Sequence, residues 1–270
     1  WRDKGILIHE DKPAIYIYEE EFNAYSERKS IKGVIARVKL EEFSKGIILP
    51  HELTLSKAKE DRFNLMKATN CNFSQIYALY MEEKHLTLKT IDECSQCTPE
   101  LEFTDSDDVT HRLWIVTDEK IINKLVDDFA HRRLYIADGH HRYETALNYR
   151  NYCRENGISK EGDAQDYQMI YLVDMDHPGL VVFPTHRLVR DLPDFDKNKM
   201  LELCEKYFEI TAYNGTENME NELAKCYDEG KKAFGFYCGN GEWYLLVLKD
   251  IDVMSQFLPN LCTASQRLDV

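Results

Sequence analysis

Hydrophobic positions near the start of the chain follow a period of two. "AIYIYEEEF" (14–22) and "IKGVIARVKL" (31–40) are rich in β-branched and aromatic residues and predict strands, as does "GILIHE" (5–10). "LEEFSKG" (40–46) predicts a short helix. Pro50 then breaks the pattern, and a helix is expected from about Ser56. "QIYALYM" (75–81), "HLTLKTI" (85–91) and "HRLWIVT" (111–117) predict three more strands, the last two separated by an acidic loop over 93–108. The period changes at Ile121, Ile122, Leu125 and Phe129, whose spacing predicts a helix over 118–132.

"RLYIAD" (133–138) predicts a strand, followed by a helix that Gly157 ends. "YQMIYLVDM" (167–175) and "LVVFPTHRLV" (180–189) predict strands joined by the turn-forming Asp176-His177-Pro178-Gly179. Two charged helices are expected over 196–207 and 218–232. A hairpin then turns at Gly239-Asn240-Gly241. The irregular interleaving predicts an α+β fold, a mixed sheet with helices packed on it. A main domain over 1–190 and a smaller one over 191–270 are expected.

Composition narrows the function classes. Of 270 residues, 43% are hydrophobic and 30% charged, as in ordinary globular proteins. The net charge of −14 argues against a coat for nucleic acid or anionic membrane. No apolar run reaches the length of a bilayer span, and no leader pattern opens the sequence. Eight cysteines thinly spread over this length point to a reducing cytoplasm rather than a disulfide scaffold.

The chemistry concentrates in "RRLYIADGHHRYETALNYR" (132–150), where a strand runs into a helix. The first helical N–H groups lack intrahelical partners and carry the positive end of the dipole. Asp138 suits the N-cap, and Gly139 lets the backbone turn sharply or approach a ligand. Arg142 in the first turn opposes the dipole, which favours a functional reason for it: with those amides it composes a phosphate-binding arrangement. His140 and His141 add donors at the same edge. Neighbouring helical residues point about 100° apart, so the two histidines do not share a metal ion easily, and no metal site is expected.

Other residues are weaker candidates. His186 and Arg187 repeat the His-Arg pairing and would line the same site from a neighbouring strand. Lys57 and Arg62 belong to a charged helix start, where either would reach a substrate carboxylate or phosphate. Cys94-x-x-Cys97 lacks the second pair that a zinc site needs. The tyrosines of the strands suit core packing better than base stacking.

"YIADGHHRYETAL" (135–147) closely resembles the signature of a bacterial and archaeal family, domain-of-unknown-function family 1015. "GIILPHELTLSKAKEDR" (46–62), "NFSQIYALY" (72–80) and "DHPGLVVFPTHRL" (176–188) fit it too, and the chain resembles the central part of that family. A second resemblance bears on chemistry. Asp-Gly-His-His-Arg at a strand–helix junction is similar to the Gly-x-x-Arg phosphate motif of the ParB/sulfiredoxin superfamily, which includes a kinase of free serine. In the kinase-like members an upstream Pro-His-Glu segment supplies an acidic catalytic residue, and here Pro50-His51-Glu52 matches it. The resemblance implies that Gly139 and Arg142 hold phosphate, with His141 beside them, and that Glu52 is the base. Sulfiredoxin chemistry would need a cysteine where His140 and His141 stand.

Two function classes follow. In the first, the protein transfers a phosphoryl group from ATP or ADP, with Mg²⁺, to a small hydroxylated metabolite. Arg142, His140 and the helix amides stabilise charge, while Glu52 or Asp138 takes the hydroxyl proton or holds the metal. In the second, it is a non-catalytic nucleotide- or phosphometabolite-binding regulatory module, for which Glu52 is dispensable. Neither class fixes an oligomeric state.

Overall fold

Period-two segments near the N-terminus form two long antiparallel strands, β1 (Ile15–Ala24) and β2 (Glu27–Lys39). They belong to a computed structural model that describes residues 2–268 apart from 7, 25, 53–55, 184 and 215–218. The chain divides into two units, 1–182 and 183–270.

The first unit is built on a mixed eight-stranded sheet. Besides β1 and β2 it contains β3 (Ile48–Leu49), β4 (Ile76–Tyr80), β5 (Leu101–Thr104), β6 (Thr110–Val116), β7 (Leu134–Asp138) and β8 (Tyr167–Asp174). Their order across the sheet is β3-β7-β4-β8-β2-β1-β6-β5. The β3–β7 and β4–β8 pairs are parallel and the others antiparallel. Four helices accompany the sheet: α1 (Ser56–Thr69), α2 (Leu86–Cys94), α3 (Glu119–Phe129) and α4 (His140–Glu155).

Alternation along the strands sorts the core onto two faces. Ile76, Ala78, Ile136, Ile170 and Leu172 point to one face and pack against Tyr143, Ala146 and Leu147 of α4 and Met66 of α1. Further along that face, Ile17, Val34 and Trp114 meet Ile91 of α2 and Ile121 of α3. The opposite face carries Ile31, Tyr171, Val173, Tyr18 and Tyr77, packed beneath Leu180.

The second unit has a three-stranded antiparallel sheet, β9 (Phe208–Asn214), β10 (Ala233–Tyr237) and β11 (Glu242–Leu248), in the order β10-β11-β9. The helices α5 (Lys197–Cys204) and α6 (Met219–Asp228) precede and follow β9. Met219 and Cys226 of α6 pack on Leu245.

Several segments depart from the sequence pattern for physical reasons. "HLTLKTI" is a helix, α2, not a strand. Its buried Thr87, Thr90 and Ile91 stand at helical spacing, and the Glu82 carboxylate accepts from the Thr87 amide at 2.8 Å. No described residue of 180–189 is in a strand. β8 is already bordered by β4 and β2, so a hairpin partner following it finds no free edge. Instead the chain turns back over the sheet so closely that a Cβ on Gly179 would lie 1.7 Å from the Ser30 carbonyl oxygen. Residues 8–10 of "GILIHE" are outside any strand, and residue 7 lies outside the described residues. β5 and β9 fall where no strand is predicted, and β5 is an exposed edge strand without an apolar buried side.

Helix α4 is bonded to the segment that leads into β3. The buried Tyr143 hydroxyl donates to the Glu41 carbonyl at 2.8 Å and accepts from the Glu41 amide at 2.9 Å. Tyr143→Phe keeps the ring and strands both backbone groups. It is expected to lower the unfolding free energy of the first unit by about 1–3 kcal/mol in urea titrations. An unchanged midpoint would show that water replaces the hydroxyl.

Candidate functional site

Because β3 and β7 run parallel, their C-terminal ends lie side by side, and the chain leaves both toward the same edge. Ligand sites in open sheets gather at such carboxyl ends. Pro50-His51-Glu52 follows β3 and Gly139 follows β7, so two segments about ninety residues apart meet in space.

Gly139 is the N-cap of α4, with φ 98° and ψ 25°. The left-handed conformation favours glycine. A Cβ here would also stand 3.0–3.2 Å from the Arg142 guanidinium. Asp138 therefore does not cap the helix as the sequence predicts: the cap lies one residue later, at Gly139. The Asp138 carboxylate instead pairs with Arg142 Nη2. Arg142 Nη1 donates to the Ser74 hydroxyl at 3.0 Å and to the Gln75 carbonyl. The guanidinium is thus fixed in plane between the helix start and the N-terminal end of β4.

The histidines can be assigned protons from their bonds. The His51 backbone N–H donates to His140 Nε2 at 3.2 Å, so that nitrogen is an acceptor and the His140 proton sits on Nδ1. Nδ1 lies 3.4 Å from Glu52 Oε2. The His51 ring donates from Nδ1 to the Ile136 carbonyl at 2.8 Å and meets the His140 ring edge-on at 4.5 Å. His140 is only 2% exposed. Burial, and then the nearby His51, lower its pKa against the opposing pull of Glu52 and Asp138, so the ring is neutral at neutral pH. Glu52 is 59% exposed, leaving its carboxylate open to solvent beside a buried donor.

The remaining candidates are less concentrated. His141 is half-buried in the first turn, and its carbonyl accepts from the Thr145 hydroxyl at 2.6 Å. Lys57 lies in α1, but its side chain is outside the described residues. Arg62, one turn further on, lines a small pocket that Arg142 also lines. His186 and Arg187 belong to the second unit, where both are exposed outside any helix or strand. Cys94 ends α2 and Cys97 is exposed; among the described residues no group of three or more His, Cys, Asp or Glu side chains is placed to hold a metal ion.

Two features escape the sequence pattern. Ser74 and Gln75, which fix Arg142, precede an ordinary strand and have no motif of their own. A pocket of about 380 Å³ opens on the tyrosine face of the sheet, lined by Tyr18, Tyr77, Tyr171 and Leu180, with Asp138 and Arg142 at its edge. Alternation signals the aromatic face, but not that the face is left partly uncovered.

The whole chain, residues 1–270, matches the family model described as Protein of unknown function (DUF1015). The chain belongs to this family. No curated protein and no solved structure matches it. Among the described residues of this DUF1015 member, no helix is long and apolar enough to cross a membrane.

Two outcomes test the geometry. Gly139→Ala forces a side chain into the left-handed region and against Arg142. It is expected to cost about 1–3 kcal/mol in chemical denaturation, and an unchanged stability would refute the conformational requirement. His140 titrates below its ordinary pKa in the fold, so folding loses nothing to this group above about pH 6.5. As pH falls below that value the unfolded chain takes a proton that the buried ring refuses, and stability drops. His177, also lowered by burial, adds to the same slope. The acid-side decline measured by urea unfolding should be shallower in His140→Gln than in the wild type; equal slopes would show that the ring protonates freely.

Proposed function

We propose that the protein transfers a phosphoryl group from ATP or ADP to a small hydroxylated metabolite, free serine being the acceptor that the ParB/sulfiredoxin resemblance suggests. The observation that carries this reading is the meeting of Glu52 with His140 beside the start of α4 and Arg142. Phosphoryl transfer asks for charge stabilisation, in-line positioning and a proton acceptor, and each has a candidate here.

Glu52 takes the proton of the acceptor hydroxyl. His140, neutral with its proton on Nδ1 3.4 Å from Glu52 Oε2, positions the carboxylate without quenching its charge. The hydroxyl oxygen bonds to phosphorus as the bond from phosphorus to the leaving phosphate oxygen breaks, and the leaving nucleotide keeps that electron pair. Arg142 and the amides of His140 and His141 face the charge on the moving group. A nucleotide-bound Mg²⁺ needs only one or two protein carboxylates, and with Glu52 as the base the exposed Asp138 would supply one. The metal would neutralise phosphate charge. With eight free cysteines, the chain suits the cytoplasm.

Incubation with Mg²⁺ and ATP or ADP, followed by an unbiased screen for phosphorylated small molecules, should yield a product. Glu52→Gln should lower its kcat by about 10²–10⁴-fold with little change in nucleotide affinity, while Arg142→Ala should weaken nucleotide binding itself. Absence of any phosphorylated product from the wild-type protein overturns the proposal. Nucleotide binding that persists with no turnover would leave a regulatory binding module.

A further inference from the structure

The pocket of about 380 Å³ on the tyrosine face has the size of a small-molecule site, yet only its edge takes part in the chemistry described so far. Tyr18, Phe22 and Tyr77 give it ring surface from the strands. Leu180 and Val181 give it aliphatic surface from the segment after β8. Core packing explains why Tyr171 is buried on this face. It does not explain an opening walled by aromatic rings, which suits a flat ring system.

One charged group stands within this apolar wall. Glu20 shares its face of β1 with Tyr18 and Phe22 by strand alternation. The Tyr18 hydroxyl donates to Glu20 Oε1 at 2.9 Å, and among the described residues no group bonds Oε2. The side chain is 38% exposed, so the carboxylate is open to a ligand. An ionised carboxylate only accepts, and this one therefore asks for an N–H or O–H.

Arg142 and Asp138 stand at the other end of the pocket. Strand pairing steps from Asp138 to Tyr77, Tyr171, Ile35 and Tyr16, so Glu20 lies four strands and four residues from Asp138. At about 4.8 Å per strand and about 3.4 Å per residue, that is about 23 Å between Cα atoms along the sheet. Even with both side chains reaching inward, a single phosphate group does not bridge such a gap. The ligand that engages both ends is elongated, with a donor at one end and negative charge at the other.

We infer that this pocket is the nucleoside subsite for an adenine nucleotide. The base lies against the tyrosine rings, its 6-amino group donates to Glu20 Oε2, and its terminal phosphate reaches Arg142. The 6-oxygen of guanine or hypoxanthine would set lone pairs against the same carboxylate, so Glu20 is the residue that selects the base. β7 stands between β4 and β3 in the sheet, which puts Arg142 between the base and Glu52. The phosphate end rests on the phosphoryl-transfer reading, whereas the base end rests on Glu20 and the rings alone.

Purine riboside 5′-diphosphate tests the pairing, because it is ADP without the 6-amino group. Dissociation constants of both nucleotides are measured by calorimetry on the intact chain, with Mg²⁺ and no phosphoryl acceptor. The wild type should prefer ADP by about tenfold or more, the strength of one hydrogen bond to a charged group. Glu20→Met, which keeps the length of the side chain, should bring ADP down to the level of the analogue. Overhauser contacts from adenine H2 and H8 to tyrosine ring protons need no variant, and they decide if Glu20→Met does not fold. Equal wild-type affinities, a preference that survives in Glu20→Met, bound ADP without tyrosine contacts, or no binding of either nucleotide overturns the inference. The two readings fail separately. ADP bound without preference sinks the subsite alone, and a Glu20-dependent preference with no phosphorylated product sinks phosphoryl transfer alone.

Discussion

The candidate site depends on a parallel pairing of two residues. Ile48 pairs with Leu134 and Leu49 with Tyr135, and the Leu134 amide adds a bond to the Ile47 carbonyl at 2.9 Å. So short a ladder does not hold its own register. The hold comes from Ile48, buried in the main core, and from α4. Tyr143 grips Glu41 through both backbone groups, and the buried Arg150 donates to the Leu40 carbonyl at 3.0 Å and to Glu42. The helix that presents His140 and Arg142 at its first turn thus fastens the strand that delivers His51 and Glu52. One rigid element sets both halves of the site.

Arg142 is held ready but not idle. Its guanidinium is shared among Asp138, Ser74 and the Gln75 carbonyl. The Asp138 carboxylate is 72% exposed, so an arriving anion displaces it into water at small cost. The bonds to residues 74 and 75 keep the plane of the guanidinium while this exchange occurs. Replacing one carboxylate with another gains little, whereas a phosphate brings more charge and also reaches the positive end of the α4 dipole. In the proposed reaction Asp138 would therefore set a threshold that favours the more highly charged ligand.

Much of this architecture is legible along the chain, and the exceptions share a cause. The helical spacing of Ile121, Leu125 and Phe129, the hairpin turn at Gly239-Asn240-Gly241 and the strand–helix junction at Gly139 are local signals, and each appears where predicted. "HLTLKTI" misleads because its threonines are β-branched, yet both pack inside a helix whose Thr87 amide donates to Glu82. "LVVFPTHRLV" looks like a strand but follows one whose edges are both taken. The approach of Glu52 to His140 is invisible to spacing, since it follows from which strand pairs with β7. Gln168 carries no signal at all: a glutamine in a strand predicts a solvated side chain, yet it is buried and its Oε1 is without a partner among the described residues.

A chain of net charge −14 that gathers arginines around anion-binding groups is no contradiction. At physiological ionic strength charges are screened over about 8 Å, so the distant carboxylates that set the total contribute little at α4. What a small anion would meet in the proposed site is local: a fixed guanidinium, the positive end of the α4 dipole and a neutral His140. The acidic surface acts instead on long polyanions, whose charges extend beyond the pocket and are repelled. Neutrality of His140 bears on the proposed reaction too, because a cationic ring would pair with Glu52, the carboxylate proposed as the base. Burial of the imidazole thus keeps the proposed base, Glu52 after β3, free of a cationic ring at the first turn of α4.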